Sequence, residues 1–255
     1  VAIATICSQL LSAVLVVIAL MRSQGAAYQL EPRQLRIYRG PMELILRIGV
    51  PSALQSVMYS ASNIVIQSAI NSFGTDTVAA WTAYGKMDVL FWMTVTAMAQ
   101  SVTTFAGQNY GAGQYGRMKR GLWVSAGVLG LFTVAISAVF FFLARPILTI
   151  FTPDPAVLEV GVEMVRFLAP CYITYILIEL LSGVIRGAGK SLVPMLIDVF
   201  GVCGLRLLWL FAVVPVHHTL PVVMASYPIT WTVTTSALLL YYRFGKWLSP
   251  PKPAP

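Results

Sequence analysis

Runs of roughly 20 apolar residues recur along this 255-residue chain, separated by short polar connections. A helix of about 20 residues, rising ~1.5 Å per residue, crosses the ~30 Å hydrocarbon core of a bilayer. In that solvent the backbone must satisfy its own hydrogen bonds, and continuous apolar runs of this length do so as helices. The runs cover Val1 to Met21, Ile48 to Ile70, Val78 to Ala106, Leu122 to Leu143, Val157 to Ile185, Leu192 to Val214 and Val222 to Tyr242. They predict an all-α, polytopic membrane protein with about seven transmembrane helices. Composition agrees, with 58% hydrophobic and 10% charged residues, where a soluble domain carries about 25% charge. The run from Val78 to Ala106 is long enough to require tilt.

The net charge of +8 is distributed unevenly. Basic residues gather in the stretch from Arg22 to Arg47, in the loop with Arg117, Lys119 and Arg120, in RGAGKS at 186–191, and in the tail. The loops at 71–77, 144–156 and 215–220 hold Arg145 alone. Strict alternation of rich and poor loops places the rich set and the C-terminus in the cytoplasm. It also explains the charge without nucleic acid. The organisation expected is a first helix at 1–22, a cytoplasmic linker at 23–46, a helical domain at 47–244, and a cytoplasmic tail at 245–255. Cys7, Cys171 and Cys203 lie inside apolar runs and read as packing residues, with no disulfide framework. The opening VAIATICSQL has no basic flank and is not a signal peptide; the chain reads as beginning inside a helix, as a fragment would.

Polar side chains inside spans are costly against lipid, so they face a cavity or one another. Gln55, Tyr59, Asn63 and Gln67 repeat every four residues, with Ser52, Ser56 and Ser60 on a neighbouring stripe. This slowly drifting face runs most of the way across the bilayer. It reads as the wall of a water-filled, solute-binding cavity, the alternative being interhelical hydrogen bonds in a packed bundle. Asp88 and Glu179 are candidates for ion coupling or for recognising substrate charge, and Asp198 is a third. Tyr175 lies one turn before Glu179 and shares its face. Lys86, two residues from Asp88, points to another side of its helix and snorkels. Asp198 and Arg206 are eight residues apart, roughly 80° in helical angle, and are expected to pair with neighbours rather than together. Glu163 and Arg166, at i and i+3, read as a structural pair. Met87, Met93 and Met98, with Phe91 and Trp92, fit either a promiscuous apolar pocket or ordinary packing.

Two apparent motifs carry no chemistry. RGAGKS would need a glycine at Val184 to form a phosphate loop, and it follows a membrane helix where a strand is required. His217 and His218 sit in a short turn without carboxylate or thiol company, so no metal site is expected. No nucleophile–base pair suggests an intramembrane enzyme.

Three stretches carry a family resemblance. FAGQNYGAGQYGRMKRG at 105–121 resembles the loop between the second and third helices of a lobe in the MATE family of multidrug and toxic-compound extrusion antiporters. SGVIRGAGKSLVPM resembles the landmark after a lobe's fifth helix, and RIGVPSALQS a lobe's opening helix. AYGKMDVLFWM is similar to the bacterial branch near DinF-type members. The resemblance implies one six-helix lobe of a two-lobe transporter, preceded by the last helix of an N-terminal lobe. It implies a secondary antiporter of the cell membrane, in bacteria the inner membrane. Such a protein exports amphipathic, cationic organic compounds in exchange for protons or sodium by alternating access, and needs no cofactor beyond the coupling ion. Expected partners are membrane lipid, organic cations or drugs, and the other lobe. The NorM-type branch places acidic cation ligands where this chain has Tyr59 and Tyr175, so that sodium site is expected to be absent here. Other readings are a lipid-linked precursor flippase of the same superfamily, which calls for a basic cavity, and a non-transporting half-transporter fragment.

Overall fold

The computed structural model describes residues 2–23, 29–32 and 35–248. Parts of the expected linker and tail, at 24–28, 33–34 and 249–255, lie outside the described residues. Among the described residues there are helices and no strands. The chain divides into two units, Val1–Ile45 and Leu46–Pro255. The first contains α1 (Ala2–Arg22), apolar and exposed from Ile3 to Ala19, and the start of α2 (Arg39–Asn71).

Among the described residues, six helical stretches are long and apolar enough to cross a membrane: Ile3–Arg22, Thr75–Gly111, Tyr115–Phe142, Pro155–Gly187, Leu192–Ala212 and Leu220–Phe244. The seventh expected span falls inside α2, which has the length at 33 residues but is diluted by Gln55, Asn63, Gln67 and its serines. This is a multi-pass helical membrane protein.

In the second unit, α3 (Thr75–Gly111) is the central helix, and α4 (Tyr115–Phe142), α6 (Pro155–Leu168) and α7 (Ile176–Gly187) pack against it. The short α5 (Ala144–Thr149) links α4 to α6. The expected glycine-rich loop at 105–121 is almost all helix. Gly107 and Gly111 belong to α3, α4 starts at Tyr115, and the turn is Ala112 to Gln114. Gly113, at φ +70°, takes the left-handed conformation that the reversal requires. Asn109 extends the helix end, donating from its side chain to the Phe105 carbonyl at 2.7 Å. A close backbone contact between helices is made by Gly183 and Gly187 of α7, four residues apart. A Cβ at Gly187 would stand 2.6 Å from the Thr103 carbonyl of α3, and one at Gly183 would stand 3.1 Å from the Ala99 carbonyl. Small residues at this spacing let membrane helices approach backbone to backbone.

Two expected spans are interrupted. Between α6 and α7 the chain tightens into a 3-10 helix, Ala169–Thr174. Pro170 has no N–H to donate and its ring crowds the preceding turn. Hydroxyls from neighbouring helices satisfy carbonyls at the break: Ser137 donates to Ala169 at 2.7 Å, and Thr235 donates to Thr174 at 2.8 Å. Asp154 caps the start of α6, accepting from the Ala156 N–H at 2.9 Å. The next span is α8 (Leu192–Asp198), a π-helical turn (Val199–Gly204) and α9 (Leu205–Ala212). α10 (Leu220–Phe244) closes the unit, and Gly201 of the π turn packs so tightly on Thr234 of α10 that a Cβ there would collide with its side chain.

The expected Glu163–Arg166 pair does not form. The Arg166 guanidinium lies over the Phe141 ring at 5.8 Å instead, because that ring is within reach across the α4–α6 contact. Arg186 and Glu179 do form an ion pair, at 3.6 Å.

Candidate functional site

From Leu46 onward α2 approaches its neighbours less closely than they approach each other. It is fastened by Ser191, which donates to the Arg47 carbonyl at 2.9 Å, and by Gln55, which donates to Asp198 at 2.8 Å. Towards its end, Ile66 and Ile70 pack with Leu210, Val214 and Val223. The space left between α2 and the bundle forms three neighbouring cavities. The central one, about 460 Å³, is lined by Ser56, Tyr59 and Asn63 of α2, with Trp92, Tyr175, Glu179, Arg206, Tyr227 and Trp231 opposite. A second, of about 290 Å³, shares Asn63, Trp92, Tyr227 and Trp231 with it and adds Gln67, Trp81, Tyr84 and Asp88. A third, of about 710 Å³, shares Ser56 and Glu179 with the central one and is bordered by Ser52, Gln100 and Arg186. The polar stripe of α2 thus runs past all three chambers.

Aromatic rings form the partition between the first two. Trp92 meets Tyr175 edge-on at 4.8 Å between centroids, Tyr175 meets Trp231 at 5.3 Å, and Trp231 meets Tyr227 at 5.4 Å. Asp88 is held behind this partition. Its carboxylate accepts from the Trp92 indole N–H one turn on and from the Tyr172 hydroxyl at 2.5 Å. Tyr172 also meets the Tyr84 hydroxyl at 3.0 Å, and its ring stacks on Phe91 at 4.1 Å. The 3-10 break carries both Tyr172 and its boundary neighbour Tyr175 to this wall.

Asp198, 1% exposed, accepts on Oδ2 from Gln55 at 2.8 Å and from Ser182 at 3.0 Å, while Oδ1 is buried without a partner. It closes the α2–α7–α8 junction and is not among the residues lining the cavities. Glu179 is more exposed, accepting from the Tyr175 hydroxyl at 2.7 Å and pairing with Arg186 at 3.6 Å. Arg206 makes no ion pair with Asp198. Its guanidinium lies 4.1 Å over the Tyr227 ring. Both nonetheless face α2, Asp198 through Gln55 and Arg206 through the chamber it shares with Tyr59. The π turn between them rotates the chain less per residue than an α-helix, so the angle from uniform α-helical spacing does not carry across it.

Among the expected residues, Tyr59, Asn63, Tyr175 and Glu179 meet in the central chamber, while Asn63, Gln67 and Asp88 meet in the second. Gln55 is buried and engaged with Asp198, the hydrogen-bonding alternative for this stripe. The four-residue repeat therefore mixes both readings. Tyr172, Tyr227 and Trp231 also belong to this wall, beyond the residues expected from the sequence. The i, i+4 spacings of Asp88–Trp92 and Tyr227–Trp231 were the available signals. His218 stacks on Phe73 at 4.3 Å and pairs with Ser72 at 2.9 Å. Among the described residues no three His, Cys, Asp or Glu side chains gather as metal ligands.

The family model MatE matches residues 51–211. The chain belongs to the MatE family. MatE proteins are transporters rather than enzymes. The probable multidrug resistance protein YoeA of Bacillus subtilis is 24% identical over 219 residues, covering 83% of this chain and 46% of the relative. The probable multidrug resistance protein NorM of Thermotoga maritima is 24% identical over 208 residues, covering 80% of this chain and 44% of the relative. A crystal structure of MATE in complex with MaL6 superposes with a TM-score of 0.86 at 19% identity, covering 95% of this chain and 55% of that one. The fold is thus that of a MATE half, and the chain spans about half the length of the relatives it matches.

Proposed function

We propose that this chain forms one lobe of a secondary antiporter of the cell membrane that exports flat, amphipathic organic compounds in exchange for protons or sodium. The observation that carries this reading is a pair of carboxylates, Asp88 at 6% and Asp198 at 1% exposure, each inside a span with no basic partner in ion-pair range among the described residues. An unpaired charge in such a place is costly, and groups kept there mark ion or proton pathways. Glu179 differs, since Arg186 already balances it. The aromatic partition offers flat surfaces to rings and a π face to organic cations, and Asp88 stands behind it for the cationic group. Membership of the MatE family and the multidrug resistance named for its relatives support export by alternating access. A second lobe supplies the facing wall.

The test is ethidium efflux from cells expressing the complete gene, with the sodium and proton gradients collapsed separately. Efflux that fails when one gradient is removed supports the reading and names the ion. Asp88→Asn and Asp198→Asn are expected to lose gradient-dependent efflux at unchanged membrane levels. Efflux indifferent to both gradients, or wild-type rates in both variants, overturns it.

A further inference from the structure

Arg206 is a buried cation with no carboxylate partner in ion-pair range among the described residues. It is 3% exposed, it lies within a membrane span, and its Nε is buried without a hydrogen-bond partner. Glu179, which lines the same chamber, is committed to Arg186 at 3.6 Å and to Tyr175 at 2.7 Å. Oδ2 of Asp198 is committed to Gln55 and Ser182. The Tyr227 ring, 4.1 Å below the guanidinium, supplies a π face but accepts no N–H in its plane. A guanidinium carries five N–H donors and no acceptor, so its needs are met by oxygen acceptors. Its planar fork matches a carboxylate or phosphate through two parallel hydrogen bonds.

The chamber that Arg206 enters holds about 460 Å³, within the range of small-molecule sites. Trp92, Tyr175 and Trp231 line it alongside Arg206. We propose that this chamber binds the anionic head of an aromatic compound, with Arg206 holding the carboxylate or phosphate and the indole and phenol rings packing on the ring system. The inference rests on the cavities being the substrate site. It goes beyond that reading by giving the substrate a negative pole, next to the chamber where Asp88 would receive a positive one.

Three probes with one ring system separate the possibilities: 2-naphthoate, 2-naphthalenemethanol and 2-naphthylmethylamine, titrated by calorimetry into the complete protein in lipid nanodiscs. Naphthoate is expected to bind more tightly than the alcohol. Arg206→Gln is expected to weaken naphthoate on the order of tenfold, the scale of a lost charge-assisted hydrogen bond, and to leave the alcohol unchanged. Arg206→Lys, which keeps charge and volume, is expected to fall between them. 2-Naphthyl phosphate in place of naphthoate tells which oxyanion is preferred. Naphthoate binding no tighter than the alcohol, or unmoved in both variants, overturns the anionic pole; binding of the amine would then leave the efflux reading standing. No binding by any probe removes both.

Discussion

The Tyr172 hydroxyl sits between two partners, donating to Asp88 at 2.5 Å and meeting Tyr84 at 3.0 Å, whereas the Tyr59 hydroxyl is buried and meets none. The two tyrosines should therefore respond oppositely to the same atom deletion. Tyr172→Phe leaves a buried carboxylate oxygen and a buried phenol unsatisfied, a cost of about 1–3 kcal/mol. Tyr59→Phe removes an unpartnered polar atom, so it should be neutral or stabilising. Thermal unfolding of the purified protein in detergent checks this: a lower midpoint for Tyr172→Phe, and none for Tyr59→Phe. Equal midpoints for the two would mean that the Asp88 network carries no stability. At this scale the sequence was half legible. Asp88 and Asp198 stand out because a carboxylate in an apolar run is conspicuous. Their partners do not, because Tyr172 lies 84 residues from Asp88 and Gln55 lies 143 from Asp198.

Among the elements, what could be read depended on whether the cause was local. Spans follow from apolar length, and the break after α6 has its cause in Pro170. The π turn at Val199–Gly204 has no such marker in its own sequence, and the tight contact of Gly201 with Thr234 of α10 is visible only in the fold. The stretch at 105–121 is helix where a loop is expected, because its glycines look like turn residues while two of them complete α3. Glycine in a membrane helix often serves the neighbouring helix instead. Gly183 and Gly187 do this, and they give a sharp contrast with Gly127 on α4, where an added methyl meets nothing within 4 Å. Gly187→Ala pushes a Cβ to 2.6 Å from the Thr103 carbonyl and 2.7 Å from the Ala106 Cβ. Neither can move aside, since one is backbone and the other is fixed to it. A cost of about 1–3 kcal/mol is expected, with Gly127→Ala within roughly 0.5 kcal/mol of wild type. Folded yield and thermal midpoint, measured side by side, decide. A Gly187→Ala protein as stable as Gly127→Ala would show that α3 and α7 do not approach this closely.

For the molecule as a whole, the basic residues near the helix ends make one argument about orientation. Arg117, Lys119 and Arg120 follow the α3–α4 turn, Arg186 and Lys190 flank the α7–α8 turn, and Arg243 and Lys246 end α10. Those three sites fall on one side of the bilayer if each membrane-length stretch of the second unit crosses once. The α2–α3 turn, the α4–α6 connection and the α9–α10 turn fall on the other, with Arg145 their only Lys or Arg between residues 72 and 74, 143 and 154, and 213 and 219. Lys and Arg are retained on the cytoplasmic side, so the proposed orientation puts Gln114 and Lys246 inside and His217 outside. Single cysteines at these positions test it, in a background with Cys7, Cys171 and Cys203 replaced by alanine. A membrane-impermeant maleimide should label His217→Cys in intact cells. It should label Gln114→Cys and Lys246→Cys only after permeabilisation. Labelling of Gln114→Cys in intact cells would invert the lobe. The order of the three chambers across the bilayer would then be inverted with it, because Ser52 and Arg186 line the largest of them near the basic end of the bundle, whereas Gln67 lines the second towards the opposite end of α2.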